Sequence, residues 1–243
     1  MSFDLTRLRK ELGDPALPVY PCESVDSTGT ECRRRLAAGE TRCLVLAETQ
    51  TAGRGRRGKS FFSPAGAGLY MSLLFRPAGG PASAVGVTTY AAVRAAEAVE
   101  RLSGKRCGIK WVNDLYFDGK KVCGILTEAV GDAVIIGVGV NLTPAAVPPE
   151  LEGIAGCLDA PGVRDALAGA IARGLLDYAP GDVSHMAEYR RRSVVLGRRV
   201  RFADREGVAV AIDDDGGLAV DTAAGRVVLR SGEISLTGIE GIK

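Results

Sequence analysis

Histidine is all but missing from this chain of 243 residues: there is one, His185. That argues against a histidine-based nucleophile or metal centre, and neither a G-x-S-x-G elbow nor a Cys-His pair stands in for one. His185 lies beside Met186 and a run of arginines and reads as an ordinary residue of a polar helix. The six cysteines include no C-x-x-C pair, and Cys43 and Cys123 sit in apolar runs. They read as small buried thiols in a reducing compartment, not as zinc ligands. No stretch approaches the ~18 consecutive apolar residues of a membrane span. The polar start MSFDLTRLRKELGD lacks the apolar core of a secretory signal. A cytoplasmic protein is expected, with no membrane partner. The net charge of +2 is far from the strong positive balance of a dedicated nucleic-acid scavenger.

The chain is 46% hydrophobic, which supplies a sizeable core for one large domain or for a medium and a small one. Residues 5–12 suit a short helix closed by Gly13. Thr28 followed by Glu31 fits a capping box at the head of a helix reaching Gly39. Residues 42–48 and 69–75 read as strands, the second ended by Pro77 and Gly79-Gly80. An Ala/Val-rich helix is expected over 82–103, stopped by Gly104. Asp118-Gly119 and Gly131-Asp132 then divide a β-meander, KWVNDLYF, KVCGILTEAV and AVIIGVGVNL. Helices follow near 163–178 and 184–192. From Leu196, short β-rich segments punctuated by Gly and Asp suggest a small barrel. The expected division is a catalytic domain at 1–192 and a barrel at 193–243.

Residues 53–60, GRGRRGKS, match two phosphate-binding patterns by letter: the dinucleotide fingerprint through Gly53, Gly55 and Gly58, and the P-loop through Gly53, Gly58, Lys59 and Ser60. Both patterns need a helix to open at once, and Pro64, Gly66 and Gly68 forbid one. Four cations remain to be explained: Arg54, Arg56, Arg57 and Lys59. Their mutual repulsion favours an anionic ligand that would order the loop. A solvated basic turn and an RNA contact are the competing readings.

Four stretches elsewhere bear on the choice: Asp26-Ser27-Thr28; Glu48-x-Gln50-x-Ala52 running into GRGRRG; Lys110-Trp111-Val112-Asn113-Asp114-Leu115-Tyr116; and Lys121-x-x-Gly124-Ile125-Leu126-x-Glu128. Together with GVGVNL at 137–142 and GEISL at 232–236, they resemble the biotin–protein ligases. The resemblance implies an α+β fold: a mixed sheet with helices, class II synthetase-like, followed by an SH3-like barrel. It implies a reaction in which biotin and Mg-ATP form biotinyl-5′-adenylate. Biotin then passes to a lysine on the biotin carboxyl carrier domain of a carboxylase. The pattern begins at Asp26, so the monofunctional form without a DNA-binding module is expected; monomer and homodimer both stay open.

The resemblance also implies roles. GRGRRGKS becomes a lid over the acyl-adenylate, with Arg54 and Arg56 on the biotin carboxylate or adenylate phosphate. Gly53 and Gly55 allow close backbone approach. Gln50, Ser27 and Thr28 would bind the biotin ring system; a helix cap is the other reading of Thr28. Ser72 is a further pocket candidate, and Gly124 would let the ligand lie on its strand. Lys110 suits an α-phosphate or carboxylate, and Lys121 reaches the same anions unless it is a solvated hairpin lysine. Asn113 and Asp114 offer oxygens to Mg²⁺, or Asp114 takes a proton from the incoming lysine, or the pair is a structural turn. Asn141 is a ribose or adenylate contact, and Trp111 lines the pocket or packs in the core. Arg57 and Lys59 add charge at the adenylate or face solvent. Two departures stand out: Gly29 where the family usually has Asn, and Val112 where it often has Pro. The runner-up enzyme is a lipoate–protein ligase, and the non-enzymatic rival is an RNA-binding protein.

Overall fold

The computed structural model describes residues 3–78 and 84–236. The Gly79-Gly80 stop, the first two residues of the 82–103 helix and barrel residues 237–243 lie outside the described residues. Among the described residues, seven strands form one mixed sheet: β1 (Val19–Val25), β2 (Cys43–Gln50), β3 (Gly68–Phe75), β4 (Gly108–Lys110), β5 (Asp114–Phe117), β6 (Lys120–Val130) and β7 (Ala133–Asn141). Their order is β1-β2-β3-β7-β6-β5-β4, with only β1 and β2 parallel. Helices α1 (Leu5–Leu12), α2 (Thr28–Ala37), α3 (Ala84–Ser103), α4 (Arg164–Leu176) and α5 (Met186–Arg192) surround it. A second, antiparallel sheet holds β8 (Arg199–Phe202), β9 (Arg205–Ile212), β10 (Leu218–Thr222), β11 (Gly225–Leu229) and β12 (Ser235–Leu236) in the order β11-β10-β9-β8-β12. No helix of the described residues is long and apolar enough to cross a membrane.

The period-2 pattern of the central strands explains where a cavity can form. Leu44 and Leu46 of β2, Leu69, Met71 and Leu73 of β3, and Ile136, Val138 and Val140 of β7 enter the larger core with α3 and α4. The intervening residues face α2. There Cys43, Val45, Leu74 and Ile135 pack around Cys32. Farther along the same face the apolar side chains run out. Ser72 pairs with Gly137, Gly137 with Leu126, and Gly139 with Gly124. A stretch of sheet without bulk therefore lies beside the N-terminus of α2.

Three expectations are corrected here. KWVNDLYF is not one strand: β4 ends at Lys110, residues 111–113 turn, and β5 starts at Asp114, so Lys110 and Asp114 become directly paired neighbours. The Trp111–Val112 peptide bond in that turn is cis. Thr28 caps nothing. The N-cap of α2 is Ser27, which makes no side-chain cap bond, and Glu31 pairs with Arg34 and Arg35. His185 is buried instead of lying on a polar surface: Nε2 is 2.9 Å from Thr89 Oγ1 and the ring meets the edge of Tyr90. Burial lowers its pKa.

Candidate active site

The bare stretch of sheet is the floor of a cavity roofed by residues 53–61. Ser27, Thr28, Gln50 and Ser72 meet at its inner end. Thr28 Oγ1 is 2.8 Å from Ser72 Oγ and 3.2 Å from Gln50 Oε1, which also accepts from the Thr28 N–H at 2.9 Å. Gln50 Nε2 donates to Ser63 Oγ at 2.8 Å, which fixes the amide's orientation. Donors and acceptors thus converge beside a flat glycine floor. The wall at this end carries Glu128, whose Oε1 takes Arg33 and, at 3.6 Å, Arg54.

The basic loop is a small closed hairpin. Arg54 bridges Ser60, Gly55 N–H donates to Lys59 O at 2.7 Å, and Phe61 N–H donates to Gly53 O at 2.9 Å. Gly53 must be glycine: a Cβ there would stand 2.3 Å from Phe61 O. Arg57 at the tip adopts φ 54, ψ 37, a left-handed conformation that costs a side-chain-bearing residue roughly 1–2 kcal/mol. The loop's cations reach three different parts of the molecule. Arg54 faces Glu128, Arg56 donates to Asn113 Oδ1 at 3.1 Å, and Lys59 Nζ lies 2.7 Å from Glu233 Oε2, ahead of the second sheet's last strand. The Lys59 hydrogen bond, with help from Arg57 and Arg56, holds the Glu233 carboxyl below the usual range.

At the outer end a cationic cradle surrounds one carboxylate. Asp114 Oδ1 accepts from Lys121 Nζ at 2.8 Å and from Asn113 Nδ2 at 3.0 Å. Lys110 stands opposite in register, is 6% exposed and lies 5.5 Å from the Tyr116 ring. Burial lowers its pKa, and Asp114 opposes the shift. Between the lowered value and the ordinary ~10.4 of a lysine, the unfolded chain holds more proton. Through this group, folding stability therefore rises with pH in that window. A function needing the ammonium behaves oppositely. If Lys110 neutralises phosphate, kcat/KM for the nucleotide should fall along an alkaline limb set below the ordinary lysine value. A pH–rate profile flat to about pH 10 would contradict this.

A second groove adjoins the first, with Phe61, Lys121 and the 139–141 end of β7 at the junction. Asn141 lines it, and its Nδ2 donates to Gly156 O at 2.9 Å, tying β7 to the 144–157 segment that forms the outer wall. The Phe61 ring lies over Gly124 and Gly139, where a Cβ would come within 3.0 and 2.4 Å of it.

The fold thus gathers Ser27, Thr28, Gln50 and Ser72 at one end and Arg54, Gly55, Arg56, Asn113, Lys121 and Gly124 along the cavity. Lys110 and Asp114 line neither cavity; Asp114 reaches them through its ion pair with Lys121, and Lys110 stands beside Asp114 in register. Gly53 stands behind the roof, Arg57 and Lys59 turn toward the second sheet, and Trp111 is 4% exposed and lines neither cavity. Phe61, Glu128 and the 144–157 wall were given no role from sequence. The available signals were the aromatic ring two residues after Lys59 and the place of Glu128 at the end of the Lys121–Glu128 motif.

As for a metal, Asn113 Oδ1 and Asp114 Oδ1 already face cations, Arg56 and Lys121. Among the described residues no three His, Cys, Asp or Glu side chains converge as ligands. These residues fit an ion carried in on a nucleotide, not one held by the protein alone.

Comparison with known proteins agrees with this geometry. The model of the biotin/lipoate A/B protein ligase family matches residues 21–141, and that of the biotin protein ligase C-terminal domain matches 195–237. The biotin--[acetyl-CoA-carboxylase] ligase of Paracoccus denitrificans is 35% identical over 236 residues, covering 88% of this chain and 98% of that protein. The bifunctional ligase/repressor BirA of Escherichia coli is 32% identical over 234 residues, covering 89% and 73%. The biotin protein ligase of Aquifex aeolicus, solved in complex with biotin and ATP, superposes with a TM-score of 0.76 at 27% identity, covering 91% and 99%. Two matched family models and relatives aligned over most of both chains establish that this chain belongs to the biotin/lipoate A/B protein ligase family, among its biotin protein ligases.

Proposed function

We propose that this protein activates biotin with ATP and transfers it to a lysine of a carboxylase's biotin carboxyl carrier domain. The observation that carries the reading is the junction at Lys121. A polar-ended, glycine-floored cavity and a second groove meet there, beside Lys110, Arg56 and the Asn113-Asp114 turn. The cyclic urea of biotin suits the inner end, where Thr28, Ser72 and Gln50 supply both donors and acceptors. Its carboxylate then emerges among the cations, and the nucleotide base takes the second groove beside Asn141. The relatives described above, a biotin--[acetyl-CoA-carboxylase] ligase and a biotin protein ligase solved with biotin and ATP, support the same substrates.

In the first step a biotin carboxylate oxygen attacks the α-phosphorus of ATP. The bond to the β-phosphate oxygen breaks, and pyrophosphate leaves with the magnesium that entered on the nucleotide. Two anions must approach one another, so Lys110, Lys121 and Arg56 contribute by neutralising charge in a site shielded from water. In the second step the carrier amine attacks the anhydride carbonyl and AMP departs, with Asp114 placed to take the amine's proton. The basic hairpin is the lid that keeps water from the anhydride meanwhile. We assign residues 1–192 to catalysis and 193–243 to the C-terminal unit, and place the reaction in the cytoplasm.

Isotope exchange between pyrophosphate and ATP tests the first step without any carrier. Exchange should require biotin, and lipoate should not replace it. Exchange driven equally by lipoate, or none with biotin, would overturn the reading.

A further inference from the structure

The turn that carries Lys110, Asn113 and Asp114 has no regular partner on its outer side. Its residues are nonetheless buried, Trp111 to 4% and Val112 to 2% exposure. Two contacts hold it from behind. The Tyr189 hydroxyl of α5, wholly buried, donates to Val112 O at 3.1 Å. The Trp111 indole N–H donates to Gly216 O at 2.9 Å. Gly216 belongs to the β9–β10 turn of the second sheet, closed by Asp213 N–H to Gly217 O at 2.8 Å and Gly216 N–H to Asp213 O at 2.9 Å. It sits at φ 82, where a side chain would be strained. The two supports are also joined to each other. Arg190, next to Tyr189, donates to Ile212 O at 2.6 Å and pairs with Asp214. Behind β4, Val194 N–H donates to Ile109 O at 2.9 Å. The acidic run 213–215, which the sequence left without a role, is the cap of this support: Asp214 binds Arg190 and Asp215 accepts from the Gly217 N–H.

We infer that Tyr189, and Trp111 through the Gly216 carbonyl, are positioning residues for adenylate formation. They fix the β4–β5 turn so that Lys110 and Asp114 face each other behind Lys121, which lines both cavities. None of the three touches substrate. Their effect reaches the chemistry through the register of one short turn, where small displacements of charged groups carry a large rate penalty. The second sheet thereby takes part in the first chemical step through its β9–β10 turn as well as through its contact with the basic loop. This inference rests on the biotin-adenylating reading above.

The test compares three conservative variants of the full chain: Tyr189→Phe, Trp111→Phe and, as a control, Tyr90→Phe. Tyr90 is likewise buried, and its hydroxyl donates to Gly174 O at 2.8 Å, a bond between α3 and α4 whose loss leaves the two supports of the turn in place. Each variant is titrated with biotin alone to count binding-competent sites. Single-turnover formation of biotinyl-adenylate is then measured per competent site with saturating Mg-ATP. Tyr189→Phe and Trp111→Phe should each slow that step about tenfold, the factor that corresponds to about 1.4 kcal/mol, with biotin affinity within twofold of the parent. Tyr90→Phe should lower the melting temperature without changing the rate per site. A rate within twofold of the parent for both turn variants overturns the inference, as does an equal slowing by Tyr90→Phe, which would mark a general structural effect. If the parent makes no biotinyl-adenylate, the functional reading itself has failed, and that result is separate from either of these.

Discussion

Lys110→Met is expected to slow adenylate formation by about 10³-fold while leaving biotin affinity in the absence of nucleotide within a few-fold. The magnitude follows from the kind of work proposed for the ammonium. A fixed charge aimed at developing negative charge in a water-poor site is worth roughly 10²–10³ in rate when removed. Lys110 meets the structural conditions for the upper end: it is 6% exposed and held opposite Asp114 by strand register. Methionine keeps most of the volume while removing the ammonium that lies 5.5 Å from the Tyr116 ring, so the fold should tolerate the change better than alanine. The selectivity is the informative part. The inner, polar end of the cavity is built from α2, β2 and β3, none of which carries Lys110. Stopped-flow adenylation alongside biotin calorimetry checks both halves. A parallel loss of biotin binding would instead mean that Lys110 supports the whole cavity.

Arg56→Gly is expected to release biotinyl-adenylate about 10- to 100-fold faster and to raise labelling of lysines on bystander proteins. Arg56 is the loop cation that faces the β4–β5 turn, through its bond to Asn113 Oδ1. A hydrogen bond from a charged donor contributes about 1.5–3 kcal/mol, which corresponds to that range in affinity. Glycine also adds freedom to a hairpin that already holds Arg57 in a left-handed conformation. The expected phenotype is therefore escape of the anhydride, not failure to make it. Displacement of labelled adenylate measures the release rate directly, and an unchanged rate would mean that Arg56 does not hold the intermediate.

Much of the fold was legible because local chemistry determined it. Asp118-Gly119 forms a hairpin with both residues at positive φ, and Gly131-Asp132 joins β6 to β7, as the letters suggest. The failures have a common cause. The turn at Trp111-Val112-Asn113 contains no glycine or proline, and its groups are satisfied by Tyr189, Gly216 and, at Asn113, Ile125 of β6, all from other parts of the chain. Nothing within a short window could reveal it. Thr28 looked like a helix cap because capping is a local rule, whereas its hydroxyl is used by Gln50 and Ser72, 22 and 44 residues away. His185 looked like an ordinary residue of a polar helix because its neighbours are polar, yet it is the N-cap residue of α5 and is buried against Thr89 and Tyr90 of α3. The candidate site was legible mainly through four motif stretches. Their grouping around one cavity depends on the glycines of β6 and β7, whose meaning appears only once the strands are paired.

The central claim is transfer of biotin to a carrier lysine, and intact-mass measurement of the carrier tests it most directly. Purified protein is incubated with biotin, Mg-ATP and a biotin carboxyl carrier domain, with lipoate in place of biotin in a parallel sample. The account predicts one added biotin per carrier, on one lysine, dependent on ATP. An unmodified carrier with biotin, or modification with lipoate in its place, would contradict it.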